Sequence, residues 1–379
     1  MPTHKLPAVT ECTDLKGKYV LLRSSLNVPI ADNQIKNHFR ITRAIPTLEY
    51  LVKAGARVIL CAHIGREKEN TLEPIFTYLQ DTFTIHFSDE VVGPHTKEMQ
   101  EGLKDGEILM LENLRRDPRE QKNDADFARS LADLAELYVN DAFAASHREH
   151  ASLIGVPAFL PTYFGINFLL EYEELQKAEK PESPSLFILG GAKFETKMPL
   201  VEKFLDLYDH VFVGGALAND FFKAKGIEIG KSLISDVDLT GSPLLSNEKI
   251  LLPKDLVVRD DSGATRVVIV EDVRPDETIV DSGPATIQML ELFIRNAKII
   301  LWNGPLGNYE AGFNTETLAL ATLLANAPGR SMVGGGDTVA AIESLGFQDK
   351  YTYLSGAGGA MLTFLEKGSL PAIDVVVKK

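Results

Sequence analysis

The feature that most constrains this chain is an alternation of apolar, β-branched runs with helical patterns. Strands that alternate with helices in this way form parallel sheets that are covered by helices on both faces. The sequence therefore predicts an α/β protein. The first series of strand candidates is KYVLLRSS, ARVILCAH, FTIHFS, EILMLEN and LYVNDAF, and the second is SLFILGG, HVFVGGAL, DLVVRD, KIILWNGP, RSMVGGGD and YTYLSGAG.

The helical patterns between the strands, and one break in the series, indicate two domains. In ETKMPLVEKFLDLYD, apolar residues at helical spacing place Met198, Val201, Leu205 and Tyr208 on one face. The run FLLEYEELQKAEKPESPS passes from an apolar segment through an acidic helix into a Pro/Ser-rich turn, which predicts a linker helix at 163–180. A chain of 379 residues also exceeds what one core usually supports. We expect two Rossmann-like three-layer αβα domains, 1–162 and 181–355, joined by this helix.

Charge and cysteine content exclude several classes of protein. A net charge of −14 argues against a general surface for nucleic acid or for an anionic membrane. No apolar run approaches the ~18 residues of a membrane span, and the first residues lack the plan of a signal peptide, so a cytoplasmic protein is expected. Cys12 and Cys61 have neither disulfide nor zinc spacing. An anionic ligand must then be held by a local pocket.

Basic residues follow the strand candidates of the first half. Ligands of open parallel sheets bind beyond the carboxyl ends of the strands, so these positions are informative. A single arginine there is most often a solvated charge, but several strand ends that each supply Arg or His favour a small, multiply charged anion. Seven of the eight histidines also lie in this half. The candidates are Arg23, Asn27, His63, Arg66, Arg115, His147, Arg148 and His150, joined by Arg40 before the next helix.

Two other kinds of site in the first half are weaker interpretations. His147 and His150 have the spacing H-x-x-H, but a third ligand and the H-E-x-x-H pattern are missing, so anion contacts or partly buried histidines are favoured over a metal site. Ser146 is not in a G-x-S-x-G turn, which argues against a hydrolase.

Glycine follows five strand candidates of the second half, in LGGAKFETK, VGGALAND, LWNGPLGNYE, VGGGDT and LSGAGGA. One such glycine often only makes a turn, but five on one edge favour a phosphorylated ligand that approaches the backbone. Lys193 and Lys197 are four residues apart and are expected on one face near the phosphates. VGGGDT alone has two interpretations: a strand-to-helix turn with Asp337 as N-cap, or a phosphate site whose carboxylate reaches a metal.

Two common nucleotide motifs fail in this half. GIEIGKS has one residue too few between its glycines for a P-loop, and Lys225 stands where the first glycine should be. The dinucleotide fingerprint G-x-G-x-x-G fails after Gly356 because Met361 occupies its last position. Both a P-loop NTPase and an NAD enzyme are therefore disfavoured.

The ordered set RSSLNVP, AHIGR, LENLRR, NDAF with HREHAS, LGGAKFETK, LWNGPLGNYE, VGGGDT and SGAGGA resembles the phosphoglycerate kinase family over 17–371. The resemblance implies a bilobal, hinge-bending kinase of glycolysis and gluconeogenesis. It would transfer a phosphoryl group reversibly between 1,3-bisphosphoglycerate and Mg-ADP, giving 3-phosphoglycerate and Mg-ATP. Mg²⁺, glycerate on the first domain, nucleotide on the second and a monomer are also implied. A C-terminal segment, 356–379, would pack back towards the hinge and the first domain.

The resemblance also assigns roles to individual residues. It makes Arg40 the catalytic arginine, Lys193 the lysine that follows the transferred phosphoryl group, and Asp337 the Mg²⁺ ligand. It places Gly214 and Gly215 at the adenine and Glu310 at the ribose. The implied catalytic residues are Arg40, Lys193, Gly335 and Gly358, and the implied glycerate-binding residues are Ser25, Asn27, Arg40, His63, Arg66, Arg115, His147 and Arg148. The implied nucleotide-binding residues are Gly191, Ala192, Lys193, Lys197, Gly214, Gly215, Asn303, Pro305, Glu310, Gly334, Gly335, Gly336, Asp337 and Thr338.

Three departures from the family pattern bear on affinity and rate. Ser25 stands where the family has an acid that contacts the glycerate hydroxyl, and it carries no charge. The family's G-G-A-K-V-S-D-K has become GGAKFETK, with Glu195 and Thr196. In the last glycine turn the family's S-T-G-G-G-A reads SGAGGA, so Gly356 removes a hydroxyl and Ala357 replaces a glycine. These changes leave open a two-lobed binding protein that has lost turnover. A nucleotide-dependent dehydrogenase is a third, weaker alternative.

Overall fold

The computed structural model describes residues 5–192 and 197–378. Within these residues the chain forms two compact units, one made of residues 5–173 and 367–378 and the other of residues 174–192 and 197–366. The division falls inside the helix Ile166–Ala178, which lies within the range expected for the linker. The C-terminal segment 356–379 is divided between the two units.

The first unit is built on a parallel sheet of six strands and a small antiparallel hairpin. The strands are β1 (Tyr19–Ser24), β2 (Ile30–Ala31), β3 (Gln34–Ile35), β4 (Arg57–Cys61), β5 (Ile85–Phe87), β6 (Ile108–Met110), β7 (Leu137–Asp141) and β8 (Thr162–Phe164). The order in the sheet is β5–β6–β4–β1–β7–β8, and β2 pairs with β3 in the hairpin. The helices are α1 (Phe39–Lys53), α2 (Glu73–Leu79), α3 (Pro94–Glu101), α4 (Pro118–Gln121), α5 (Ala125–Ala132) and α6 (Ile166–Ala178).

Helices cover both faces of this sheet, because successive apolar residues in the middle of its central strands need burial on both sides. Val20 and Leu22 of β1 belong to a core with Ile41 of α1. Leu21, between them, belongs to a second core with Phe127 of α5. Side chains of a strand alternate between faces, so this split shows a three-layer arrangement, as predicted. Phe127 is fully buried, and truncating such a side chain typically costs about 3–5 kcal/mol.

The second unit has a parallel sheet of the same kind. The strands of the unit are β9 (Ser185–Leu189), β10 (His210–Val213), β11 (Ile250–Leu251), β12 (Asp255–Arg259), β13 (Thr265–Ile269), β14 (Thr278–Ser282), β15 (Ile299–Asn303), β16 (Arg330–Gly334) and β17 (Tyr353–Leu354). The order in the parallel sheet is β11–β10–β9–β15–β16–β17. The remaining helices are α7 (Met198–Leu207), α8 (Leu217–Ala224), α9 (Pro284–Asn296), α10 (Thr315–Leu324), α11 (Gly336–Ser344), α12 (Gly359–Lys367) and α13 (Pro371–Val377).

The strand candidate DLVVRD does not join the parallel sheet, so its predicted place was wrong. It forms β12 at the centre of a separate antiparallel sheet, β13–β12–β14. The reason is local. In a tight turn after β12, the backbone carbonyl of Asp260 accepts the N–H of Gly263, and the chain then enters the β-branched run of β13 directly. A short turn connects antiparallel strands, whereas a parallel pair needs a long crossover. Tyr208, expected on a helix face, lies one residue beyond α7 but is buried.

The last helix, α13, packs within the first unit. Ala372 belongs to a small apolar cluster with Ala142, Ala145 and Leu153, and its N–H donates to the carbonyl of Ser146 over 3.2 Å. These contacts tie the C-terminal end of the described chain to the loop that follows β7. Among the described residues, no helix is both long and apolar enough to cross a membrane.

Candidate functional site

Four neighbouring strands of the first sheet bring basic side chains to one edge. Arg23 lies near the carboxyl end of β1, and His63, Arg115 and Arg148 follow β4, β6 and β7. Because the strands are parallel and adjacent in the order β6–β4–β1–β7, their carboxyl ends lie side by side. We call these four residues the basic cluster.

Arg23 is fully buried, and each of its three guanidinium nitrogens has a partner. Nε donates to Ser152 Oγ over 3.0 Å, Nη1 donates to the carbonyl of Ser24 over 2.6 Å, and Nη2 lies 2.9 Å from His63 Nδ1. A guanidinium can only donate, so His63 Nδ1 is the acceptor. The ring proton of neutral His63 is therefore on Nε2.

Burial and the charges of neighbouring groups lower the pKa values of three members of the basic cluster, His63, Arg115 and Arg148. Burial is the main cause for Arg115 and Arg148, and the neighbouring arginines lower the pKa of each further. Burial, followed by Arg23, Arg115 and Arg148, lowers the pKa of His63 well below its ordinary value. His63 is thus neutral near pH 7 while the arginines remain charged. A bound anion would relieve this repulsion.

His147 and His150 lie on either side of Arg148 in the sequence and are also kept neutral. Burial first and Arg148 second lower the pKa of His147. The same two causes, with Arg23 and Arg115, lower the pKa of His150 to about 4. Within residues 5–192 and 197–378, no group of three or more His, Cys, Asp or Glu side chains could hold a metal ion.

Asn27 and Arg40 are linked to the loop after β4. Arg40 Nη1 donates to the carbonyl of Asn27 over 2.6 Å, and Asn27 Oδ1 accepts the N–H of Gly65 over 2.9 Å. Arg115 Nη1 donates to the carbonyl of Gly65. Burial lowers the pKa of Arg40, and Glu171 opposes that shift. Asn27 and Gly65 also line an open cavity of about 540 Å³.

The other glycerate-binding candidates differ in exposure. Ser25 is buried, whereas Arg66 is exposed. Arg66 nevertheless lowers the pKa of Arg115 and of Arg148, so its charge lies near the cluster. The sequence had no signal for Glu120, a completely buried acid that accepts hydrogen bonds from Ser152. In the sequence it reads as one charge in the polar run DPREQ.

In the second unit, glycine turns at the strand ends lie against one another through their backbones. The N–H of Gly190, after β9, donates to the carbonyl of Asn303 over 2.8 Å, and that of Gly191 donates to the carbonyl of Pro305 over 3.0 Å. A Cβ on Gly190 would collide with the Pro305 carbonyl. Gly214 and Gly215 follow the neighbouring strand β10, and Gly358 follows β17.

The three glycines of VGGGDT have different surroundings. A side chain on Gly334 would collide with Met361 Sδ. Gly335 has φ +106° and ψ 136°, a conformation that only glycine adopts readily. At Gly336, by contrast, no described atom lies within 4 Å of a Cβ. Packing explains why position 334 requires glycine, and backbone conformation explains position 335. Neither explains the glycine at position 336.

Asp337 lies in the first turn of α11 and is exposed. Gly335, not Asp337, is the N-cap, so the interpretation of Asp337 as a capping residue was wrong. Its carboxylate acts on the pKa of both Lys197 and Tyr309, which shows that these side chains lie near it. Tyr309 and Glu310 belong to a short 3₁₀ helix, in which Glu310 is exposed.

Lys197 is the cation at this edge for which the structure gives contacts. Its Nζ donates to the carbonyl of Gly190 over 2.5 Å, and burial lowers its pKa to about 8 while Asp337 opposes that shift. Thr338 is buried, and its Oγ1 accepts the N–H of Gly304. Ala192 is exposed. Lys193, Glu195 and Thr196 lie outside the described residues, so their expected roles stay predictions.

Comparisons with known proteins agree with the resemblance of the motifs. The family model for phosphoglycerate kinase matches residues 9–368. Phosphoglycerate kinase of Roseiflexus sp. (strain RS-1) is 40% identical over 380 residues, which cover 95% of this chain and 96% of that protein. The enzyme of Moorella thermoacetica is also 40% identical, over 97% of this chain and 98% of that protein.

Solved structures give the same result. The phosphoglycerate kinase structure from Coxiella burnetii has a TM-score of 0.84 at 34% identity and covers 99% of each chain. That from Pyrococcus horikoshii OT3 has a TM-score of 0.85 at 29% identity and covers 98% of each. Motifs, fold and relatives therefore agree that this chain belongs to the phosphoglycerate kinase family.

Proposed function

We propose that this chain catalyses reversible phosphoryl transfer between 1,3-bisphosphoglycerate and Mg-ADP, with the first unit binding the glycerate and the second the nucleotide. The observation that carries this proposal is the basic cluster of the first unit, which the parallel strands bring to one edge of the sheet and in which Arg23 lowers the pKa values of His63, Arg115 and Arg148. Such a group of charges favours a small ligand with several negative charges, and 3-phosphoglycerate carries both a phosphate and a carboxylate. Family membership supplies the reaction class.

In this proposal, the glycerate substrate is held by charge and by hydrogen bonds. Arg115, Arg148 and exposed Arg66 bind its phosphate or carboxylate oxygens, since guanidinium groups pair well with both. His63 donates from Nε2, the nitrogen left free of Arg23. Asn27, His147 and Ser25 complete the contacts. Arg40, held by the Asn27 carbonyl, stabilises charge on the transferred phosphoryl group.

The nucleotide side relies mainly on the backbone. Gly214 and Gly215 would border the adenine, Glu310 would bind the ribose, and Asn303 would lie near the phosphates. The first N–H groups of α11 have no partner inside the helix, and the open space at Gly336 allows phosphate oxygens to reach them. Lys197 supplies a nearby positive charge. The remaining expected contacts are those of Gly191, Ala192, Pro305 and Thr338.

A magnesium ion fits the nucleotide side through Asp337. This carboxylate is exposed and follows the glycines that would bind phosphate. One or two carboxylates together with substrate phosphates are the usual Mg²⁺ environment. That no larger group of metal-binding side chains occurs among the described residues is consistent with this metal. When bound, the ion would neutralise charge on the nucleotide phosphates.

The proposed reaction needs alignment and charge stabilisation more than acid–base help. In the reverse direction, a carboxylate oxygen of 3-phosphoglycerate forms a bond to the γ-phosphorus of ATP while the bond to the bridging oxygen breaks, and that oxygen leaves with ADP. The attacking oxygen is already ionised, so no general base is required. Phosphoryl transfer passes through a largely dissociative transition state, in which positioned charges matter most. Closure at a hinge near α6 would bring the ligands together and exclude water.

A coupled assay with ATP, Mg²⁺ and 3-phosphoglycerate tests the proposal. Formation of ADP that depends on 3-phosphoglycerate is the expected result. If both ligands bind but no ADP forms, the chain is the two-lobed binding protein that Ser25 and Thr196 left open. If 3-phosphoglycerate does not bind at all, the proposed role of the basic cluster is wrong. Size-exclusion chromatography with light scattering tests the proposed monomer.

A further inference from the structure

A chain of buried polar groups lies behind the basic cluster. Ser152 donates to Glu120 twice, from its backbone N–H over 2.9 Å and from its hydroxyl over 2.6 Å. Ser152 Oγ accepts from Arg23, and Arg23 contacts His63. Glu120, Ser152 and Arg23 are all 0% exposed, and His63 is 6% exposed. We call these four residues the Glu120 relay.

Each link of the Glu120 relay has a defined direction. Arg23 must donate to Ser152 Oγ, so the hydroxyl proton of Ser152 has to point to Glu120. With Nε held by Ser152 and Nη1 by the carbonyl of Ser24, the plane of the Arg23 guanidinium is fixed. Nη2 then meets His63 Nδ1. The orientation and the tautomer of His63 thus depend on a carboxylate that His63 does not touch.

The charges of the Glu120 relay support the same interpretation. A buried arginine is costly unless a carboxylate compensates it, and Glu120 provides that charge. Burial raises the pKa of Glu120, and Arg23 is the largest influence that opposes the rise. A neutral acid at position 120 would remove a carboxylate that interacts with the charge of Arg23. Ser152 would then be oriented less strongly as the acceptor for Arg23 Nε, and the contact of Arg23 with His63 would be held less firmly.

We propose that Glu120 and Ser152 are positioning residues for the glycerate substrate, acting through Arg23 to keep His63 as the Nε2–H tautomer. This inference rests on the proposed role of His63 in glycerate binding. Neither residue touches the substrate in this scheme. Their contribution is to binding, so their loss raises KM for 3-phosphoglycerate more than it lowers kcat.

The test compares variants of the Glu120 relay with a matched pair in the other unit. Asp255 accepts both the N–H and the hydroxyl of Thr286, each over 2.8 Å, as Glu120 does from Ser152. Asp255 has no proposed part in either site. Glu120→Gln, Ser152→Ala and Asp255→Asn are each compared with the parent for melting temperature, kcat and the KM of both substrates.

Glu120→Gln and Ser152→Ala are expected to raise KM for 3-phosphoglycerate about tenfold, the lower end of the loss of affinity seen when a partner behind a metal ligand is removed, with kcat within about twofold. KM for Mg-ATP stays at the parental value. Asp255→Asn lowers the melting temperature without changing KM for 3-phosphoglycerate. Ser152→Thr, which keeps the hydroxyl, restores most of the affinity. Ser152→Ala keeps the backbone N–H that donates to Glu120, so it retains the folded state even if Glu120→Gln does not.

Two further measurements separate the possible failures. Long-range ¹⁵N–¹H NMR of the His63 ring should show only Nε2–H in the parent and a mixture of tautomers in Ser152→Ala. If KM for 3-phosphoglycerate and the tautomer both stay parental in Ser152→Ala, the inference is overturned. His63→Gln is the control for its premise. If His63→Gln leaves that KM unchanged, the proposed glycerate role of His63 is wrong, whatever Glu120 does.

Discussion

The two parallel sheets differ in the groups that lie at the carboxyl ends of their strands, where a phosphate is proposed to bind. The first unit places buried and half-buried cations around the carboxyl ends of its strands, and neighbouring charges lower the pKa values of His63, Arg115 and Arg148. The second unit presents glycine turns, one lysine with described contacts, and the start of α11. Side-chain charge thus dominates one edge and backbone geometry the other.

Each of these two arrangements has a disadvantage. Clustered cations repel one another, so the first unit needs compensating acids such as Glu120 and keeps its histidines neutral. Backbone N–H groups carry no net charge and cause no such repulsion, but they reach a ligand only where side chains are absent. Substitutions that remove a charge should therefore weaken ligand binding mainly in the first unit. Substitutions that add a side chain to a glycine should weaken it mainly in the second unit.

The largest effect is expected for Arg40→Ala. Arg40 is proposed to stabilise charge that develops on the transferred phosphoryl group, and loss of one such donor typically lowers kcat by about 10²–10³-fold. Steady-state kinetics with saturating ATP and 3-phosphoglycerate measures this change. Arg40→Lys should recover part of the rate, because it restores the charge without the fork of donors. A near-parental kcat for Arg40→Ala would remove Arg40 from the mechanism.

For the second edge, Gly336→Ala is expected to weaken Mg-ADP binding by about tenfold, or ~1.4 kcal/mol. The added methyl group would enter the open space at the start of α11 through which the phosphates approach. It should not destabilise the fold, because alanine is the better helix former, by up to about 1 kcal/mol. Isothermal titration calorimetry and thermal unfolding measure the two quantities.

Gly335→Ala is the matched control for that prediction. Its φ of +106° is strained for alanine, so this variant should lose about 1–3 kcal/mol of folding stability. If Gly336→Ala weakens Mg-ADP binding without lowering folding stability, that glycine is required by the ligand. If Gly335→Ala lowers folding stability, that glycine is required by the backbone conformation. Equal behaviour of the two variants would contradict the proposed phosphate site.

The sequence predicted the two parallel sheets better than it predicted the buried acid of the first unit or the different roles of the glycines in the second. Runs such as KIILWNGP, with four successive apolar residues, belong to strands that are buried on both faces, and the rule for parallel sheets then locates the site edges. The half-exposed strand β13 was missed because Val267 and Ile269 remain at the surface. Glu120 could not be found, since its burial depends on the distant partners Arg23 and Ser152. Likewise, only packing distinguishes Gly334 from Gly336.

A pH dependence is expected for nucleotide binding through Lys197. Burial lowers the pKa of Lys197 to about 8, and a bound phosphate would raise it again, so binding above pH 8 requires uptake of a proton. The dissociation constant of Mg-ADP should then increase by up to about tenfold per pH unit above pH 8. Calorimetric titrations from pH 7 to pH 9, in buffers of different ionisation enthalpy, measure both affinity and proton uptake.

The stability of the free protein should change in the opposite direction. Between about pH 8 and the ordinary lysine pKa of 10.5, the unfolded chain holds more protons on Lys197 than the folded chain does. The contribution of this group to folding stability therefore increases as the pH rises through that range. Lys197→Arg should abolish both trends because arginine stays charged. Parallel pH profiles for the parent and Lys197→Arg would exclude Lys197 as the titrating group.

The smallest expected effect is a difference in salt sensitivity between the two substrates. Raising KCl from about 0.05 M to about 0.15 M shortens the Debye length and screens the exposed charge of Arg66 together with the half-buried arginines beside it. We expect KM for 3-phosphoglycerate to rise about two- to threefold, and KM for Mg-ATP to rise less, since backbone N–H groups in contact with phosphate are little screened. Arg66→Gln should reduce the salt response for the glycerate substrate alone. An equal response of the two KM values would mean that side-chain charge governs both edges, and the contrast between them would not hold.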